Sequence, residues 1–124
     1  MTFKERPVVN WPERSGEYRA VQLYVGDRPY LVLEEGENKF HAQILRSALV
    51  GLNLPFAAAI GQKTGRSVPS PEGNGYRAVG MGKVRVDIDS RKAKAFGESD
   101  DYRLCISVSH LDQIRALQPN WGIE

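Results

Sequence analysis

The chain has 124 residues, 41% of them hydrophobic and 26% charged, with a net charge of +2. That length suits one globular domain burying roughly two thirds of its unfolded surface, and so small a charge does not by itself imply nucleic acid or a membrane surface. Cys105 is the only cysteine, so an intramolecular disulfide is excluded and a reducing compartment is the simpler expectation.

Two histidines and one cysteine give no Cys/His set at zinc spacing, so no structural zinc is expected, while composition leaves a carboxylate metal site open; the reading adopted has neither metal nor cofactor. The first seven residues hold no apolar leader core, and no segment reaches transmembrane length. The reading is a cytoplasmic protein without a membrane partner.

Residues 1–17, with Pro7, Pro12, Ser15 and Gly16, read as an extended arm whose Val8, Val9 and Trp11 pack on the domain formed by residues 18–124. Tyr18 to Val25 alternates as a strand, with Arg19, Val21, Leu23 and Val25 on one face and Tyr18, Ala20, Gln22 and Tyr24 on the other. Gly26-Asp27-Arg28-Pro29 is turn chemistry, and Tyr30 to Glu34 completes a hairpin. Arg19 shares a face with apolar residues. It either snorkels to the strand end or meets an anion.

A helix is expected from an Asn38 cap to about Leu52, because Phe40, Ile44, Leu45, Ala48, Leu49 and Leu52 recur at helical spacing. His41 falls within that stripe, in the first turn. There the helix dipole disfavours imidazolium and keeps the ring neutral and nucleophilic. Taken alone, a core histidine bonded to a backbone carbonyl is the weightier reading.

Pro55 to Ile60 reads as a short strand, and Gly61 to Gly75 as a long mobile loop or a loose hairpin. Gly61 to Ser67 has three residues between its glycines and then Arg, where a P-loop needs four and then Lys; it is a basic turn. Tyr76 to Ile88 alternates, with Tyr76, Ala78, Val84, Val86 and Ile88 on a core face and Arg77, Val79, Met81, Lys83, Arg85 and Asp87 on the other. Lys92 to Gly97 returns antiparallel or forms a helix. A last helix over residues 110–118 is capped by Ser109, buries Leu111, Ile114 and Leu117, and stops at Pro119. His110 then sits exposed at its start, without a role. Asn120 to Ile123 can add a short strand.

Five segments in order resemble the protein histidine phosphatase (Janus/Ocnus) family. Phe40-His41-Ala42-Gln43-Ile44 is similar to its Tyr-His-Ala-Asp-Ile, which holds the catalytic histidine. Gly80-Met81-Gly82-Lys83-Val84 is similar to its Gly-Gly-Gly-Arg-Ile strand. Phe96-Gly97-Glu98-Ser99-Asp100-Asp101-Tyr102 resembles its Tyr-Gly-Tyr-Ser-Met-Ala-Tyr loop, and Ile114 to Trp121 its Ile-Lys-Ala-Lys-Tyr-Pro-Asp-Tyr. Tyr18-Arg19-Ala20-Val21 resembles Phe-Lys-Tyr-Val, with its phosphate-binding lysine. The likeness covers about residues 16–124, with 61–75 as an inserted loop.

It implies an α/β (α+β) single domain, a mixed, mostly antiparallel sheet flanked by two main helices at about 38–52 and 110–118. His41 would be nucleophile or base, Arg19 and Lys83 would neutralise phosphoryl oxygens, and the backbone N–H groups of Ser99, Asp100 and Asp101 would cradle the phosphate. Metal-free phosphoryl transfer needs such parts, since positioning and charge neutralisation do most of the work. Asp100-Asp101 replaces the family's Met-Ala, and Arg103 its small glycine. A desolvated carboxylate beside a phosphate repels it by several kcal/mol.

Two functions follow as expectations. The first is a small metal-independent phosphatase acting on phosphohistidine or a related phosphoramidate, its partner a phosphorylated protein or small phosphoryl compound. The second is a non-catalytic module binding an anionic or phosphorylated partner through Arg77, Lys83 and Arg85. Nucleic acid is a weaker partner, because aromatics do not interleave with the bases on that face.

Overall fold

Ten alternating residues, Gly16–Val25, form strand β1, and Arg28–Glu34 forms β2. Their two-residue loop is Gly26-Asp27, with Gly26 at φ +59° in the first loop position, where hairpin twist favours a positive φ. The computed structural model describes residues 7–35, 40–61, 65–99 and 102–124. The expected Asn38 cap, and Asp100 and Asp101 of the cradle, lie outside them.

Helix α1 is His41–Gly51, and the exposed Phe40 occupies its N-cap position rather than joining the buried stripe. Gln43 Oε1 accepts from the Phe40 N–H at 2.9 Å, satisfying one orphan donor of the first turn. The helix ends in a Schellman arrangement: Asn53 at φ +57° lets Leu54 N–H reach the Leu49 carbonyl and Asn53 N–H the Val50 carbonyl.

Strands β3 (Ala58–Ile60) and β4 (Ser67–Pro69) pair antiparallel, so the stretch after α1 takes the hairpin form, and β5 (Glu72–Gly73) joins the sheet. The long strand β6 is Tyr76–Asp87, β7 is Lys92–Phe96, and β8 (Glu98–Ser99) pairs with β9 (Leu104–Cys105). Helix α2 is Val108–Leu117, followed by β10 at Gly122–Ile123. The main sheet runs β10-β7-β6-β1-β2, with β5 also on β6; every pairing is antiparallel except β10 with β7. The protein is thus a single small α+β domain with two helices and a mostly antiparallel sheet.

One helix covers each face. Val21, Leu23, Val25, Tyr30 and Met81 pack with Ile44, Leu45 and Leu49 of α1. Ala20, Leu31, Leu33, Val84 and Val86 pack with Leu111 and Ile114 of α2 and with Val8 and Val9 of the arm. Trp11 stacks on Trp121, with ring centroids 3.7 Å apart.

Both sheet edges are blunted by side chains. Asn10 exchanges two hydrogen bonds with the Leu33 backbone on the β2 edge, and Arg115 Nε donates to the Ile123 carbonyl on β10.

Four expectations need correcting. Gln22 pairs with Gly80 but Leu23 with Ala78, so Val79 is bulged out and the side-chain phase of β6 flips there. Tyr76 and Ala78 consequently join Met81 against α1, while Val84 and Val86 face α2. Helix α2 is capped by Ser107 rather than Ser109, its hydroxyl accepting from the His110 N–H. That start rotates His110 into the core, where it is fully buried, and leaves Leu117 48% exposed.

Candidate functional site

The register of β1 against β6 sets Arg19 directly opposite Lys83. Directly paired residues project from the same face, so two cations stand side by side there, a mildly unfavourable pair on its own, with Glu34 of β2 directly opposite Arg19 on its other side. Arg19 makes no ion pair among the described residues. Lys83 is bridged to Glu17 at 3.4 Å, and Glu17 also reaches Arg85 at 3.3 Å. The Arg85 hydrogen bond, and after it the contact with Lys83, holds the exposed Glu17 carboxyl below its ordinary pKa, although desolvation opposes them.

The helix N-terminus arrives beside this pair. β6–β7 pairing stops at Lys83 opposite Phe96, and Gly97 turns away at φ +86°. Gly82 is therefore one residue beyond that ladder. Its carbonyl lies 2.8 Å from His41 Nε2. A carbonyl only accepts, so the neutral ring is the Nε2–H tautomer and its lone pair is on Nδ1. The carbonyl-bonded core histidine and the catalytic histidine share this contact, which fixes the ring in either role.

Phe40 links the helix to the strands. The Arg19 guanidinium lies 5.8 Å and that of Arg66 5.1 Å from its ring centroid, within cation–π range. Arg66 comes from the β3–β4 hairpin, and its place over Phe40 had no signal in the sequence. Ser99 is buried on β8, which packs against β6. Only about 11 Å of chain separates it from Phe96 opposite Lys83. The fold thus gathers His41, Arg19 and Lys83 and puts Ser99 nearby.

Arg77 is not with them. The bulge at Val79 turns it to the other face, where its guanidinium lies 4.8 Å from the Tyr24 ring centroid. The expected triad of Arg77, Lys83 and Arg85 is therefore split. Aromatics also meet bases in space where they do not in sequence: Phe96 faces Lys83 and lies under Arg85, 5.6 Å from its guanidinium.

The second histidine is held by a polar network inside the core. His110 Nε2 donates to the Leu23 carbonyl at 3.1 Å, and Nδ1 accepts from Gln22 Nε2 at 3.3 Å. Gln22 Oε1 accepts from Ser107 N at 2.6 Å, and its Nε2 also donates to the Ser107 carbonyl. Burial drives the His110 pKa down, against smaller raising effects of the Leu23 and Tyr30 backbones. The signal in the sequence was Gln22, a lone amide on the apolar face of β1.

Among the described residues no three His, Cys, Asp or Glu side chains gather as metal ligands, and no helix is long and apolar enough to cross a membrane. No protein-family model and no curated protein matches the chain.

Proposed function

We propose that the protein is a small metal-independent phosphatase acting on phosphohistidine or a related phosphoramidate, with His41 as its reactive group. The observation that carries this reading is the Arg19–Lys83 cross-strand pair beside a histidine of fixed tautomer. The ordered resemblance to the histidine phosphatase family, carried in part by these same residues, agrees with it. Arg19 and Lys83 neutralise phosphoryl oxygens, and the N-terminus of α1 adds its positive dipole end. Of the expected cradle the described residues include Ser99, whose backbone N–H is assigned to the phosphate.

The P–N bond breaks and the leaving nitrogen takes a proton. The phosphoryl group passes to His41 Nδ1 and then to water, or directly to a water whose proton His41 accepts. Either route ends in inorganic phosphate with no redox partner. The test is phosphate release from a phosphohistidine-bearing protein and from a small phosphoramidate, in EDTA. Wild type turns both over, and folded His41→Ala turns over neither; undiminished release by that variant sinks the reading.

One observation weighs against catalysis and leaves a non-catalytic anion-binding module, whose ligand displaces Glu17, as the second reading. Glu17 already neutralises part of the charge on Lys83 and Arg85. That module binds a phosphorylated partner through Lys83 and Arg85, loses it on Lys83→Ala, and releases phosphate no faster than buffer.

A further inference from the structure

Beyond the phosphoryl site, the face of β6 and β7 continues uncovered by either helix. Lys83, Arg85 and Asp87 on β6 stand opposite Phe96, Lys94 and Lys92 on β7. Arg85 and Lys94, both exposed, are thus a second like-charged cross-strand pair, two residues along from the first. Arg85 reaches Glu17, but Lys94 has no ion-pair partner among the described residues. The strip runs into a groove of about 490 Å³ lined by the cations Arg85, Lys92, Lys94 and Arg115 and, among them, by the carboxylates of Asp87 and Glu124.

We infer that this strip recognises an extended acidic segment of a phosphoprotein, with a carboxylate two residues from the phosphorylated side chain. The inference rests on the phosphoryl site proposed above and names its substrate class. Alternate residues of a strand are about 6.6–6.8 Å apart, and so are those of an extended peptide lying along it. A phosphoryl group at Arg19 and Lys83 therefore brings the side chain two residues away over Arg85 and Lys94. The side chain one residue away points off the sheet.

A single-stranded nucleic acid fits less well. It carries a charge at every step, and one step beyond Arg85 and Lys94 it meets Asp87 opposite Lys92, where the carboxyl, held below its ordinary pKa by bonds from Ser90, cancels the lysine. The Phe96 ring that would stack a base is taken by Arg85. A peptide avoids both by placing its acid only over the free cation.

The test uses two fluorescein-labelled peptides of one composition, each with a central phosphohistidine, glutamates at ±2 in one and at ±1 in the other. Turnover and anisotropy are both read. The ±2 peptide is expected to show a KM about threefold lower. Lys94→Glu abolishes that advantage and leaves its kcat, and all turnover of a small phosphoramidate, unchanged. Equal KM for the two peptides, or a Lys94→Glu variant that keeps the preference, overturns the inference. So does oligouridylate displacing the ±2 peptide. If no substrate turns over, the phosphatase reading fails, and the anisotropy preference for ±2 over ±1, with its loss in Lys94→Glu, still decides the strip.

Discussion

Arg19 on β1 and Lys83 on β6 are direct cross-strand partners, one residue from the carbonyl that holds His41. Like charges directly opposite are destabilising by a fraction of a kcal/mol to about 1 kcal/mol, a cost that Glu17 on Lys83, Glu34 opposite Arg19 on β2 and the Arg19–Phe40 contact offset in part. Arg19→Gln should therefore leave stability unchanged or raise it by up to about 1 kcal/mol, as read from urea denaturation. A loss above about 2 kcal/mol would mean that Arg19 is a packing residue and not an anion ligand.

Acid should weaken the fold through His110. Its folded pKa lies below the ordinary value because burial penalises the imidazolium, and Nδ1 already faces the Gln22 amide donor. The unfolded chain takes up a proton below about pH 6.5, which the folded chain refuses. This contribution is whole above about pH 6.5, falls as pH drops through it, and levels off once the folded pKa is passed. Urea midpoints between pH 7.5 and 5 should show the fall, and His110→Leu, though less stable, should flatten it.

Gln22→Leu removes a group that serves both Ser107 and His110. The orphaned Ser107 N–H, its carbonyl and His110 Nδ1 each stand to lose a partner, at about 1–3 kcal/mol for a group left unsatisfied. Gly80→Ala attacks the same network from the strand, because a Cβ there would run into Gln22 Oε1 and approach the Ser107 nitrogen to 2.8 Å. Both variants should lower the urea midpoint, with the pH dependence of His110 altered as well.

The arm should come loose with Trp11. Its indole stacks on Trp121 and donates to Gln118 Oε1 at 2.9 Å, joining residues 107 positions apart. Trp11→Ala is expected to cost about 2 kcal/mol, less than a fully buried tryptophan because the ring is only partly buried. Loss of near-ultraviolet dichroism from the stacked pair, with the far-ultraviolet spectrum retained, checks it.

What the sequence disclosed depended on whether side chains reported their phase. Periodicity was enough for β1, β2 and the buried stripe of α1, because Val21, Leu23, Ile44, Leu45 and Leu49 recur without a break. In β6 the phase changes at Val79, and Gly80 and Gly82 on either side of Met81 carry no side chain to reveal it. Arg77 was consequently grouped with Lys83 and Arg85. In α2, Ser107 and Ser109 are both able caps, and choosing the later one put His110 outside the core it fills.

The candidate site divides along the same line. That His41 points inward followed from helical spacing alone, and the structure has it 91% buried, at 9% exposure. Its partner Gly82, forty-one residues away, depends on where β7 stops, which no local pattern encodes. Arg66 approaches Phe40 only because the β3–β4 hairpin folds back.

The most direct measurement is calorimetric titration of inorganic phosphate into wild type and into the Arg19→Gln/Lys83→Met double variant, both shown folded by circular dichroism. It tests the anion site itself, which catalysis and recognition both require. Saturable one-to-one binding by wild type, weakened at least tenfold in the variant and by added salt, is the predicted result. Equal isotherms for the two proteins, or no saturable binding by wild type, would contradict a phosphoryl site at Arg19, Lys83 and His41.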